Sequence, residues 1–242
     1  MKTLQVPFHF YPDAVGGTEI YTLALAHRLQ KAGQAVEVAA PGETQASYHH
    51  EGIPVHRFTA GKEQDVASLY GDGDAAAAEQ FGEIVDRVQP DIVHLHGLSP
   101  AISLRTLRKA RQRGIPVVLT VHIPGVFCSR GTLLLYGEEV CDGRLEANRC
   151  SRCVLHSRGL PKPLAQIAGS APASLGAALA TTRLQASWIT ALRMTHLMHL
   201  RGETLGKILN ELSHVVAVCD WVREGLLRNG GIPKSSRFAV RA

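Results

Sequence analysis

Short runs of apolar and β-branched residues alternate with longer runs of helical periodicity along most of this chain, and that alternation narrows the fold more than any other feature. Residues 4–10, 35–40, 53–58, 91–97, 115–121 and 214–219 read as strands, with Pro7 weakening the centre of the first. Residues 18–32, 75–88, 99–113 and 220–228 read as helices, the first from Ile20, Leu23, Ala24 and Leu29 on one face. Gly33, Gln89-Pro90 and Gly114 supply the stops. Strands joined to helices by short connections predict an α/β domain with a doubly wound, mostly parallel sheet. Its ligand is then expected at the carboxyl ends of the strands.

The first strand-to-helix connection is Tyr11-Pro12-Asp13-Ala14-Val15-Gly16-Gly17-Thr18-Glu19. Gly16 and Gly17 can take positive φ and, lacking Cβ, let a ligand approach the backbone. The helix that follows directs its partial positive charge at the same place, which suits a phosphate or carboxylate. A tight turn is the other explanation for the glycine pair, and no G-x-G-x-x-G is present. Gly16, Gly17, His96, Gly97 and His122 all fall at carboxyl ends of strands, and their convergence points to one site.

The 242 residues, 45% of them hydrophobic, suffice for one buried core near the upper size of a single domain. Residues 1–242 are read as one domain, interrupted at 124–171 by a loop-like excursion. Residues 62–74 read as irregular, and 172–212 as largely helical with a hinge near Gly202. The tail from Arg237 begins a further strand. A net charge of +5 favours anionic partners, while 5% aromatics without interleaved basic stretches argue against nucleic acid. No signal peptide and no apolar run of about 20 residues is visible, so a cytoplasmic protein with reduced cysteines is expected. Arg105, Arg108, Lys109, Arg111 and Arg113 crowd one helix, either as a solvated face or as a patch for peripheral contact with anionic lipid at the inner face of a membrane. Residues 175–200 read as core packing or as an acceptor- or membrane-facing groove. His49 and His50 are read as surface residues.

Cys128, Cys141, Cys150 and Cys153 have the spacing C-x12-C-x8-C-x2-C. Four thiolates complete a tetrahedral zinc site with no position left for water, so the metal would be structural. Reduced or paired cysteines without metal are the alternative. His156 is a spare ligand, and Cys219, at a strand end, reads as a buried hydrophobe.

With these residues in view, the chain resembles the N-terminal half of a retaining family-four glycosyltransferase of GT-B architecture, a Rossmann-like domain. The resemblance rests on residues 10–19, on Pro90-Asp91-Ile92-Val93-His94-Leu95-His96-Gly97 and on Val118-Leu119-Thr120-Val121-His122. The cysteine segment resembles an insertion seen in a subset of such enzymes. The resemblance implies transfer of a sugar from a nucleotide-sugar donor to a glycan or lipid-linked acceptor held by this half, as in polysaccharide biosynthesis. By position, Gly16, Gly17, Thr18 and Glu19 would meet donor phosphate or acceptor. His122 would be catalytic, with His96 and Gly97 lining the same cleft; a strand-end histidine that only caps backbone is the alternative for His122. The resemblance places the nucleotide in a C-terminal donor domain absent from these residues, so the isolated chain is expected to be inactive. A non-enzymatic glycan- or partner-binding module on the same fold is the competing expectation.

Overall fold

In the computed structural model, which describes residues 1–13, 16–61, 66–180, 186–230 and 239–240, the strand–helix alternation is present. It runs β1 (Lys2–Val6), α1 (Gly17–Lys31), β2 (Ala35–Gly42), β3 (Ala46–His50), β4 (Ile53–Thr59), α2 (Val66–Tyr70), α3 (Ala75–Val88), β5 (Ile92–Leu95), α4 (Leu104–Arg111) and β6 (Val117–Val121). Then come β7 (Leu134–Leu135), β8 (Glu139–Val140), α5 (Ala147–Ser157), α6 (Lys162–Ala168), α7 (Ala173–Ala180), α8 (Ser187–Glu211), β9 (His214–Ala217), α9 (Asp220–Arg228) and β10 (Ala239–Val240). The contacts divide these residues into two units. One comprises Met1–His122, Ile208–Arg223 and Ile232–Ala242, the other Ile123–Lys207 and Glu224–Gly231.

The first unit holds an eight-stranded sheet of order β10-β9-β6-β5-β1-β2-β4-β3, parallel except for β3 on β4. The chain winds from β1 towards β2 and β4, then returns through α3 to build β5, β6 and β9 on the other side. The direction therefore reverses between β1 and β5, where a doubly wound sheet opens its ligand crevice. Strand β3 differs from the expected polar loop: Ala46 to His50 pair antiparallel with β4, His49 is exposed, and His50, partly exposed, stacks on Tyr11 with ring centroids 4.4 Å apart.

Helix α3 shows how the sequence sets the layers. Ala77, Ala78, Phe81, Ile84, Val85 and Val88 bury one face, and Asp74 caps its start by accepting from Ala77 N–H at 2.7 Å. Helix α1 differs from the expected apolar stripe. Its buried positions are Glu19, Thr22 and Ala26, while Ile20 is exposed and Leu23 and Leu29 are only partly covered. The small residues at 22 and 26 let this helix lie close to the sheet, and the polar one at 19 has a different task.

Parallel strands buried on both faces are normally apolar on both. Here the registers Leu4↔Val93, Gln5↔His94 and His94↔Val118 align β1, β5 and β6. By the two-residue period, Thr3, Gln5, His94 and Thr120 fall on one face of the centre of the sheet and Leu4, Val93, Leu119 and Val121 on the other. The polar row is nearly dry: Thr3, Gln5 and Thr120 are all buried.

In the second unit, residues 124–171 are more ordered than the loop expected. Pro124–Val126 form a 3-10 turn, β7 and β8 a small antiparallel hairpin, and α5 and α6 two helices. The expected hinge near Gly202 is absent, since α8 runs unbroken to Glu211. Asn229 ties the segment together: its Oδ1 accepts from Leu145 N–H at 2.6 Å, and its Nδ2 donates to the carbonyls of Gly143 and Gly225 at 2.7 Å each. A Cβ on Gly225 would lie 2.4 Å from the Phe127 ring, so that glycine admits the aromatic. Among the described residues no helix is long and apolar enough to cross a membrane. Ala14, Val15, residues 62–65 and 181–185, and the tail apart from Ala239–Val240 lie outside the described residues.

Candidate functional site

Helix α1 begins with a carboxylate folded back over its own N-terminus. Glu19, 5% exposed, accepts from Gly16 N–H at 2.8 Å through Oε2 and from His9 N–H at 3.3 Å through Oε1. This stitches the connection after β1 to the helix, as the carboxylate half of a capping box does. It also changes what the loop can offer. Gly16 N–H is committed to Glu19, so the backbone left for a ligand is that of Gly17 and Thr18, whose N–H groups have no intrahelical acceptor. Neither Gly16 nor Gly17 takes a positive φ, contrary to the expected reason for the pair. Among the described residues, an added Cβ at Gly17 would meet no atom within 4 Å, and the same holds at Gly97 after β5.

His96 and His122 follow β5 and β6 and meet beside this loop. His96 Nδ1 lies 3.3 Å from His122 Nε2, with the two ring planes 26° from parallel and their centroids 5.6 Å apart. Tyr21, from α1, sets its ring 4.8 Å from that of His122 and 5.9 Å from that of His96. His96 is only 1% exposed, so it stands behind His122 instead of lining the cleft as expected. His122 is half-buried and is the member of the pair open to a ligand. Burial lowers its pKa from the ordinary histidine value, and the Glu19 charge partly opposes this. Burial holds His96 well below the same value, with the neighbouring histidines adding to the effect. His94, hydrogen bonded to Thr120 Oγ1 at 2.8 Å, is lowered to about 4, chiefly by burial and then by His122.

A cleft of about 680 Å3 opens at the same end of the sheet, lined among others by His9, Asp13, Glu43, Thr44, Tyr48 and Arg57. Arg57 is its buried anchor. It donates to the carbonyls of Phe10 at 2.7 Å, Tyr11 at 3.1 Å and Pro41 at 2.8 Å, pairs with Asp13 at 2.9 Å, and donates from Nε to Tyr48 Oη at 3.0 Å. The Tyr48 hydroxyl in turn donates to the Tyr11 carbonyl. Sequence reasoning passed over Arg57 and Tyr48. A charged residue at an inward position of the run 53–58 was the available signal.

In the second unit, Cys128, Cys141, Cys150 and Cys153 are unpaired and line one small cavity of about 30 Å3. The zinc cluster expected from their spacing is not assembled there: among the described residues no group of three or more His, Cys, Asp or Glu is arranged to hold a metal ion. The thiols are engaged locally instead. Cys141 faces Asp142 Oδ1 at 3.8 Å, Cys150 faces the Arg144 carbonyl at 3.9 Å, and Cys153 accepts from Tyr136 N–H at 3.3 Å. His156, outside that cavity, bonds through Nδ1 to the Leu160 carbonyl at 3.0 Å. Cys219 is partly exposed, not the buried hydrophobe expected. On α4 the basic residues are largely paired: Arg108 with Glu211, Lys109 with Glu79, and Arg113 just past its end with Asp86. That supports the solvated outer face over a lipid patch.

A doubly wound parallel sheet with its polar side chains gathered at the β1–β5 switch point defines a Rossmann-like domain. Residues 16–240 match the family described as "Glycosyl transferase 4-like domain", and the chain belongs to that family. The match runs through 124–171 and gives no support to treating the cysteine segment as an insertion. No curated protein matches the chain. Solved structures similar to it include the catalytic domain of Starch Synthase IV from Arabidopsis thaliana bound to ADP and acarbose, 18% identical over 51% of this chain and 34% of that one, with a TM-score of 0.31. UDP-GlcNAc 2-epimerase from Neisseria meningitidis bound to UDP-GlcNAc is 13% identical over 100% of this chain and 72% of its own, with a TM-score of 0.36. MurG from Acinetobacter baumannii is 15% identical over 99% and 67%, with a TM-score of 0.36. The chain thus spans about a third of the starch synthase domain.

The buried histidines tie stability to pH. A histidine held at about 4 when folded and 6.5 when unfolded binds fewer protons in the folded state between those values. Its contribution is therefore complete above about pH 6.5 and is lost as the pH falls towards 4. For His94 that gap is worth on the order of 3 kcal/mol. The urea midpoint should be flat from pH 7 to 8 and decline from 6.5 to 4, with a shallower decline in His94→Gln. Equal slopes in the two proteins would show that His94 is not held neutral.

Proposed function

We propose that this domain is the acceptor-side half of a sugar transferase. A nucleotide-sugar donor held by a second domain meets a glycan or lipid-linked acceptor over the crevice between β1 and β5. The observation that carries this reading is the pair of glycines beside His122. Gly17 and Gly97 take no positive φ, and among the described residues a Cβ at either would crowd no atom. Bare backbone there suits a ligand that must come close to the helix start. His122, neutral at pH 7, stands at the same spot able to accept a hydrogen bond or proton. The cleft anchored by Arg57 is wide enough for a sugar and is the proposed seat of the acceptor. Residues 1–242 together would form this one functional half.

Transfer from a panel of nucleotide sugars to glycan and lipid-linked acceptors tests this, with a donor-binding domain supplied in the same polypeptide. His122→Ala should lower kcat/KM by about 100-fold or more, and Gly17→Ala should lower it with the unfolding midpoint unchanged. Unaltered turnover in His122→Ala would remove that residue from the chemistry. Acceptor binding without any transfer would leave a binding module instead.

Structural zinc is the finer part of the proposal: it would need the four cysteines around one cavity to draw together, since among the described residues they are not arranged around a metal. Protein purified without chelator should carry about one equivalent, and less than about half an equivalent in folded protein ends the idea. Peripheral contact with an anionic membrane, if made by this domain, is assigned to residues 147–202, which carry seven Arg or Lys and no Asp or Glu. Exposed Leu164, Ile167 and Trp188 lie in the same stretch. The chain should co-sediment with vesicles containing anionic lipid and be released by salt; equal recovery with neutral vesicles would exclude it.

A further inference from the structure

A buried glutamine in the middle of a central parallel strand costs stability unless both ends of its amide are used. Gln5, on β1, uses both. Its Nε2 donates to Thr3 Oγ1 at 3.1 Å, and its Oε1 lies 2.8 Å from His96 Nε2. An amide oxygen can only accept, so His96 must carry its proton on Nε2. His96 is buried and neutral, so its Nδ1 is a lone pair. That lone pair faces His122 Nε2 at 3.3 Å, and the contact is a hydrogen bond only if His122 carries its proton on Nε2. The Nδ1 of a neutral His122 is then left unprotonated.

We propose that Gln5 and His96 form a hydrogen-bonded wire that fixes His122 in a single tautomer, protonated at Nε2 and open at Nδ1, which makes Gln5 a positioning residue for the candidate site. The polarity is all-or-none. Two neutral imidazoles in contact share one proton, so reversing Gln5 would reverse both rings and turn Nδ1 of His122 from an acceptor into a donor. With the Thr3 hydroxyl accepting from Gln5 Nε2, Oε1 is the amide atom turned to His96. His94 packs against His96 with ring centroids 4.2 Å apart and bonds separately to Thr120, so it supports the His96 ring without joining the wire. The consequence for the site rests on the reading that His122 faces substrate. So wired, His122 takes a hydrogen bond from a hydroxyl and gives none to a phosphate oxygen.

The tautomers can be read directly, with no assay of transfer. Long-range proton–nitrogen correlation spectra of the full chain labelled with 15N-histidine at pH 7.5 should show His96 and His122 each as one tautomer, Nδ1 unprotonated. In Gln5→Leu, His122 should become a mixture of tautomers. A protonated Nδ1 on either ring in the native chain overturns the proposal, as does a single unchanged His122 tautomer in a folded Gln5→Leu. Should that variant not fold, Gln5→Met replaces it, and the native spectrum still decides the polarity. The two readings separate cleanly: the expected tautomers with full turnover in His122→Ala would keep the wire and discard the catalytic role, and the opposite pair of results would do the reverse.

Discussion

The carboxylate of Glu19 sits where a helix would otherwise direct its positive end at an incoming anion. It is buried, it takes the N–H groups of His9 and Gly16, and its charge reaches His122. Three elements are thereby set at once: the connection after β1, the start of α1 and the electrostatic surroundings of the histidine after β6. A carboxylate inside the first turn is a favourable partner for the helix dipole, so the loop is stable with no ligand present. Any phosphate arriving there meets a helix start already partly neutralised. Binding must then draw on the bare backbone of Gly17 and on groups outside this loop.

The other side of the same loop is held by Arg57. Its guanidinium joins the carbonyls of Phe10, Tyr11 and Pro41 to the Asp13 carboxylate, which a lysine could not do from a single ammonium. Removing it would take one donor from each of these carbonyls, although Phe10 keeps the Asp13 N–H and Tyr11 the Tyr48 hydroxyl. Asp13 is held by Arg57 and Gly16 by Glu19.

The fold was legible because its main signals are local. Periodicity, Gly33 and Gly114, and the β-branched runs placed α1, α3, α9 and the central strands to within a few residues, while the longest helix, α8, was read only as part of a helical stretch over 172–212. What was missed was decided by distant partners. Strand β3 is polar along the run Ser47 to His50 and exists because β4 offers it an edge. Helix α5 lay hidden among cysteines whose spacing drew attention away from the buried Val154 and Leu155. In the site, glycines and histidines at strand ends were visible as a group, but their division of labour was not. Only burial distinguishes His96 from His122, and only geometry shows that Glu19 consumes the Gly16 donor. The polar period Thr3-x-Gln5, His94-x-His96, Thr120-x-His122 was in the sequence throughout. It becomes meaningful once the three strands are known to lie side by side in that register.

That polar period is costly in the centre of a sheet, and its placement is informative for that reason. Each buried member is paired with another: Thr3 with Gln5, Gln5 with His96, His94 with Thr120, His96 with His122. Satisfied pairs inside a low-dielectric layer are rigid, and leaving one partner missing is what such networks tolerate least. The row nevertheless ends at His122, half-buried, beside the ring of Tyr21. It delivers a neutral imidazole of fixed orientation to the opening of the crevice, and it holds the ring before any ligand arrives, which is the condition under which a polar group can act on a substrate without first reorganising.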